Sequence, residues 1–356
     1  MHNHMATECP QEQSPEDTRL QGLKEFYDKR FEKDAYDLTA ISENESRLIR
    51  LLVDAALTWR AGTGDENRLF TLIDFGCGDG RLHAIYEGIA SLLKGDGWRL
   101  GVIAIDPARK GLETYFAKCA AAGYREGAPG PGPGLPQLGP DLAVRVLNKE
   151  NLEVVFVRAA GEILARWPSL ARRADVLISA GVICHILGSA NRNTLLRSFR
   201  SAAASLFLSQ PTTGDFSTAQ RDFQDMRAKR LRLLAALNRP RDDGGDLSQL
   251  QQSLAELDGR LGDALEEGEI YYQAGWVRNL GEKLPEYSGV KLPYFGTSVN
   301  QAKAAVERAG YPYAASVRAP FGHHGRWIAT LASDYFEVAP LLHQPVQIRR
   351  QSAEEG

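Results

Sequence analysis

The chain has 356 residues, 43% apolar and 24% charged, enough for a sizeable core in one large domain or two ordinary ones. A formal net charge of −3, with Arg227, Lys229, Arg230 and Arg232 as the densest basic stretch, argues against nucleic acid as the main partner. No apolar run approaches the ~18 residues of a membrane span, the N-terminus lacks signal-peptide order, and Cys9, Cys77, Cys119 and Cys184 form no CxxC pair for a disulfide framework or a zinc site, so the expected compartment is the cytosol.

Residues 1–16 read as a disordered tail and 17–60 as two helical stretches. In the second, Leu48, Leu51, Leu52, Ala55 and Trp59 recur at helical spacing. Leu69-Phe70-Thr71-Leu72-Ile73 has the length and apolarity of a buried parallel strand. It ends in Asp74-Phe75-Gly76-Cys77-Gly78-Asp79-Gly80, and a helical pattern follows from Leu82 to Leu93. Val102 to Ile105 is a second strand, closed by Asp106-Pro107 and followed by a helix to Ala122. The stretch from Arg125 to Asp141, punctuated by Pro129, Pro131 and Pro133 between glycines, reads as a surface loop. Val154 to Val157, Asp175 to Ser179 and Ser205 to Leu208 are the third, fourth and fifth strands. A helix with Leu195, Leu196 and Phe199 precedes the last of these. Such alternation predicts a parallel sheet covered on both faces.

The alternation breaks over residues 214–289, which read as a helical insertion. One helix carries Phe223, Met226, Leu233, Leu234 and Leu237 on one side. Leu247, Leu250, Leu254, Leu257 and Leu261 then follow in alternating three- and four-residue steps. Packing of these helices on each other and on the core is the plain expectation; a lid or a homodimer contact is the sharper one. The core resumes over 290–345, completing the part begun at 17–213. Ser298 and Gln301 form a capping box for a helix that Gly310 ends, and two final strands run from Ala314 to Val317 and from Trp327 to Leu331.

A strand that ends in closely spaced glycines and opens a helix is a nucleotide-binding device, because glycine permits backbone angles and close approach that a side chain blocks. Glycine turns also serve plain tight connections. Arg81 stands where the dinucleotide fingerprint takes its third glycine, which disfavours a nicotinamide dehydrogenase. Asp106, ending the next strand, is placed to accept both hydroxyls of a ribose; charge-assisted hydrogen bonds of that kind contribute about 1.5–3 kcal/mol each.

At these residues the chain resembles the class I S-adenosylmethionine-dependent methyltransferases. Ile73 to Gly80 is similar to that family's first motif, Ile105-Asp106-Pro107 to its second, and Asp175 to Ile186 to its fourth, with a histidine leaving strand four. The resemblance implies an α/β fold: a Rossmann-like, seven-stranded, mostly parallel sheet with helices on both faces, the last strand antiparallel, and a helical insertion. It implies S-adenosyl-L-methionine as cofactor and S-adenosyl-L-homocysteine as product. Gly76, Cys77, Gly78 and Gly80 are then expected at the amino-acid end of the cofactor, with Asp74 ordering the loop or meeting the methionine ammonium. Asp106 is expected on the ribose, Pro107 and Ala108 along the adenine, and Ala180 and Gly181 at the exit of strand four. One departure stands out: Ala160 occupies the place of the acidic residue that accepts the adenine amino group, with Glu162 two places on as a substitute.

Methyl transfer from a sulfonium needs alignment and exclusion of water more than acid-base apparatus. His185 is the expected base or acceptor contact, its alternative being a packed histidine at the pocket floor. His323, in the last turn beside His324, and Tyr36 are further catalytic candidates. Tyr27 joins Tyr36 in helices expected to fold over the cofactor. Tyr271 and Trp276, in Ile270-Tyr271-Tyr272-Gln273-Ala274-Gly275-Trp276, suit stacking on a flat acceptor or core packing equally. No metal is expected. The leading expectation is methylation of oxygen, nitrogen or carbon on a small molecule. The alternatives are a protein or RNA acceptor, or a cofactor-binding protein that does not transfer methyl, such as a cyclase or a binding module.

Overall fold

A computed structural model describes residues 23–29, 43–63, 68–127, 144–165, 174–186, 188–211, 217–239, 247–261, 269–272, 292–295, 297, 299–319 and 327–342. The elements begin with helices α1 (23–29) and α2 (Glu43–Gly62), then β1 (Leu69–Phe75), α3 (His83–Gly95), β2 (Arg99–Asp106) and α4 (Arg109–Ala121). Next come β3 (Arg125–Glu126), β4 (Val144–Lys149), β5 (Leu152–Arg158), α5 (Glu162–Ala165), β6 (Ala174–Ala180), α6 (Ser189–Ala202) and β7 (Ala203–Pro211). The chain continues through α7 (Ser217–Leu237), α8 (Ser248–Leu261), β8 (Glu269–Tyr272) and β9 (Leu292–Phe295). It closes with α9 (Val299–Arg308), β10 (Tyr313–Ala319) and β11 (Trp327–Ser333).

The main sheet runs β10-β11-β7-β6-β1-β2-β5-β4-β3. Strands β5, β2, β1, β6 and β7 are mutually parallel. Strand β11 is antiparallel to both of its neighbours, as expected of the last strand. The chain leaves β1 for β2 and β5 on one side and returns for β6 on the other, so the order reverses at β1. Crevices outside the carboxyl ends of such strands are where open α/β sheets bind ligands.

The expected strand count of seven is corrected to nine among the described residues. The additional pair is β3 and β4, antiparallel at the β5 edge. Arg125 and Glu126, which the sequence reading assigns to the loop, begin this hairpin. In β4 the adjacent Val146 and Leu147 are both buried, so the strand does not alternate, and six residues beside a Pro-Gly run carry little periodic signal. The insertion is likewise not purely helical: β8 pairs antiparallel with β9, so a boundary at residue 290 separates two halves of one ribbon.

The parallel strands are buried on both faces, so they read as unbroken apolar runs. Phe70, Leu72, Val102, Ala104, Val154 and Phe156 meet Leu48 and Leu52 of α2, Ile85 and Tyr86 of α3, and Leu112 and Tyr115 of α4. Ile73, Phe75, Ile103, Ile105, Val155 and Leu177 meet Ile163 of α5, Leu195 and Phe199 of α6, and Val306 of α9. Each large side chain so buried contributes about 1.5–3 kcal/mol. At the end of the sheet away from the crevice, Arg60 of α2 donates to Asp175 of β6 at 3.0 Å and to the carbonyl of Leu69 at 2.6 Å. Asp175 also accepts the Thr71 amide at 2.7 Å. Among the described residues no helix is long and apolar enough to cross a membrane.

Candidate functional site

The site begins where β1 runs out. Gly76, Gly78 and Gly80 have φ of +77°, +56° and +81°, the left-handed region in which an L side chain costs roughly 1–2 kcal/mol. Space forbids side chains there as well: a Cβ on Gly76 would collide with Val182, and one on Gly80 with the ring of Tyr115. The turn is docked on β2, because the amides of Gly76 and Cys77 both donate to the carbonyl of Ile105, at 2.8 and 3.3 Å.

Asp106 ends β2 beside this turn and is almost wholly buried. Its Oδ2 accepts the Gly78 amide at 2.8 Å and its Oδ1 accepts the Ala108 amide at 2.7 Å. Burial pushes its carboxyl up to about 6, against the lowering effect of those two bonds. A carboxylate has roughly four lone-pair sites, so each oxygen retains one for a vicinal diol. Ala159 donates its amide to the Asp106 carbonyl at 3.2 Å, which folds the exit of β5 behind the aspartate. Ala160 follows and its carbonyl accepts the amide of Ile163 at 3.3 Å, opening α5. Glu162 begins that helix; its side chain lies outside what is described.

Asp74 sits on the same sheet face as Asp106, opposite Ala104 in register. Burial pushes its carboxyl up to about 7; Tyr86 and the charge of Arg81 pull it down, and Asp106 pushes it further up. The Tyr86 hydroxyl of α3 is a polar contact and not a formed hydrogen bond, since among the described residues neither Asp74 Oδ2 nor Tyr86 Oη has a partner at bonding geometry. Asp79, within the turn, pairs through Oδ2 with Lys118 at 2.5 Å while its buried Oδ1 has no partner among the described residues. Three buried carboxyls therefore surround the turn, two of them with a bare oxygen. Arg81 is paired with Glu45 of α2 at 3.2 Å. Cys77 is buried, and desolvation holds its thiol well above the usual range, so it packs as an inert thiol.

Across the switch point, β6 ends at Ala180. Gly181, at φ +75°, donates its amide to the Ser209 carbonyl at 2.7 Å. A short 3-10 turn, Ile183–His185, follows. It presents His185, whose Nε2 lies 2.9 Å from the hydroxyl of Tyr27, with the rings edge to face. Tyr27 belongs to α1. The next residue, Asp28, accepts the Lys110 amide at 2.8 Å, satisfying one of the free donors at the start of α4. Helix α1 is thus fastened on both sides of β1: to α4 after β2, and to the turn after β6. Strand β9 packs on that same turn.

Sequence reasoning named Tyr27 and His185 separately, and the fold brings them together. It missed Asp28, Tyr86 and Tyr115, which have no motif of their own and act through contacts between distant elements, and the packing of Val182, within the fourth motif, against Gly76. Tyr36, Trp276, His323 and His324 lie outside the described residues. Tyr271 lies in β8, and nothing describes its side chain.

Solved structures with a related arrangement include magnesium protoporphyrin IX methyltransferase from Synechocystis PCC 6803 with bound SAH, at 12% identity over 88% of this chain and 98% of that one, TM-score 0.38. They also include the N-terminal domain of EvdMO1 in the presence of SAH and D-fucose, at 11% identity over 89% and 97%, TM-score 0.39. A third is DszA carbon methyltransferase, at 13% identity over 80% and 52%, TM-score 0.38. No protein-family model and no curated protein matches this chain. At such low overlap the likeness carries no weight beside the residues themselves.

Proposed function

We propose that the chain is an S-adenosylmethionine-dependent methyltransferase acting on a small-molecule acceptor. The carrying observation is the left-handed glycine turn tied to buried Asp106, with the bare Asp74 Oδ2 beside it. These residues fit a nucleoside with a cationic tail: Asp106 has lone pairs for the ribose hydroxyls, and the buried carboxyls of Asp74 and Asp79 lie beside the turn, where a positive charge would favour their ionised forms. Arg81, directed to Glu45, sets the boundary of that acidic patch.

When bound, the cofactor supplies a methyl group on a sulfonium, already activated for in-line displacement. The chain's own task is then to hold, align and exclude water. Helix α1 covers the carboxyl ends of the strands through Tyr27 and Asp28. His185 takes a proton where the acceptor arrives protonated, with the Tyr27 hydroxyl orienting its ring. Pro107, Ala108 and Ala160 flank the exits of β2 and β5, where a purine edge would lie without an acidic contact at Ala160.

Calorimetric titration with S-adenosylhomocysteine tests this. A saturable isotherm with Kd below ~1 mM, a binding free energy of about −4 kcal/mol or stronger, is expected; no binding there ends the reading. Asp106→Ala should weaken that affinity at least about tenfold, roughly 1.4 kcal/mol, with the fold retained.

A further inference from the structure

Against Gly80 of the glycine turn lies a group of titratable side chains with no part in the chemistry above. Tyr115 of α4 is fully buried and lies flat beneath Gly80, against the place where a Cβ would be. Its hydroxyl is 2.9 Å from Nδ1 of His83, the first residue of α3. The backbone of His83 donates in turn to the carbonyl of Gly80 at 3.0 Å. The three residues close a ring: the turn to the His83 backbone amide, the His83 imidazole to the phenol, and the phenol ring back to the turn. We propose that Tyr115 and His83 are positioning residues that hold the glycine turn in its ligand-ready conformation.

A turn with three left-handed glycines is the part of the site with the most backbone freedom to lose. A rigid floor beneath Gly80 removes that freedom before a ligand arrives, so less is lost on binding. Desolvation lowers the basicity of His83, and its Nδ1 shares a hydrogen bond with the Tyr115 hydroxyl. The remaining groups around the imidazole are Glu87 at 3.8 Å from Nε2 and the Cys119 thiol at 3.7 Å from Nε2. Glu87 accepts hydrogen bonds from Tyr124 at 3.1 Å and from Lys149 at 3.2 Å. Lys149 ends β4, so the assembly connects the added edge hairpin to the turn. Cys119 is pushed up to about 12, first by burial and then by Glu87; it acts as a packed thiol there.

The inference rests on the cofactor reading for the identity of the ligand but not for its first measurement. In ligand-free, full-length protein, hydrogen exchange of peptides covering residues 76–83 should quicken about tenfold in Tyr115→Phe and His83→Leu, while peptides from β1, β2 and β6 keep their protection. His83→Asn, which keeps an acceptor near Nδ1, should restore the turn. S-adenosylhomocysteine affinity should fall about fivefold or more in the first two variants and recover in the third. Unchanged exchange at 76–83, or a loss spread evenly over the sheet, overturns the positioning role. Altered exchange at the turn without any S-adenosylhomocysteine binding by wild type supports that role and overturns the cofactor reading instead.

Discussion

Asp74 and Asp106 are carboxyls that burial has moved from 3.8 to about 7 and about 6. A folded pKa above the unfolded one means the folded chain holds the extra proton between those values. The ligand-free protein should therefore lose stability as pH rises from about 4 to 7, measured as a declining melting temperature. A cationic ligand reverses the preference, since it pairs with the ionised form. Its affinity should climb from pH 5.5 to a plateau above about 7, and binding near pH 6.5 should release protons, seen as an enthalpy that depends on the buffer. Asp74→Asn should flatten this profile. Gly76→Ala combines a φ of +77° with collision against Val182. The substitution should cost about 1–2 kcal/mol from the backbone alone and more from the collision, and Val182→Ala should recover only the second part in denaturant melts.

At the scale of elements, α2 is tied to the sheet by the Arg60–Asp175 ion pair, both partners nearly devoid of solvent. Removing one partner leaves a buried charge alone, so Asp175→Ala should lower stability by about 3–5 kcal/mol. The Thr71 amide loses its acceptor in the same variant. This lies at the far end of β1 and β6, so S-adenosylhomocysteine affinity of the folded fraction should hold. Helices α7 and α8 pack on each other, with Leu257 buried and Arg230 paired to Asp258 at 2.6 Å. Leu257→Asp should speed tryptic cleavage within 217–261 while cofactor affinity stays within about twofold. A larger loss of affinity would place the hairpin in the cofactor site.

For the whole molecule, a ligand that binds only the folded chain stabilises it by mass action, about 2.7 kcal/mol at a hundredfold excess over Kd. S-adenosylhomocysteine should accordingly raise the melting temperature in step with its concentration. The switch point at β1 gathers the exits of β1, β2 and β6 in one crevice, and α1 crosses it. Under the proposed function, a small acceptor would enter beside His185, where β9 meets the 3-10 turn.

The alternating strands and helices, the glycine turn and the Asp106 exit were legible in the sequence because each is set by local rules. Apolar runs of strand length report burial on both faces, and left-handed φ demands glycine at 76, 78 and 80. The β3–β4 hairpin and the β8–β9 ribbon escaped because short edge strands owe their existence to a partner and not to their own pattern. The meeting of Tyr27 with His185, 158 residues apart, and of Asp28 with Lys110, 82 apart, was decided only by tertiary packing. So were the Tyr115 floor under Gly80 and the raised carboxyls. Backbone angle and periodicity are written residue by residue, whereas desolvation and contact depend on what the rest of the chain brings alongside.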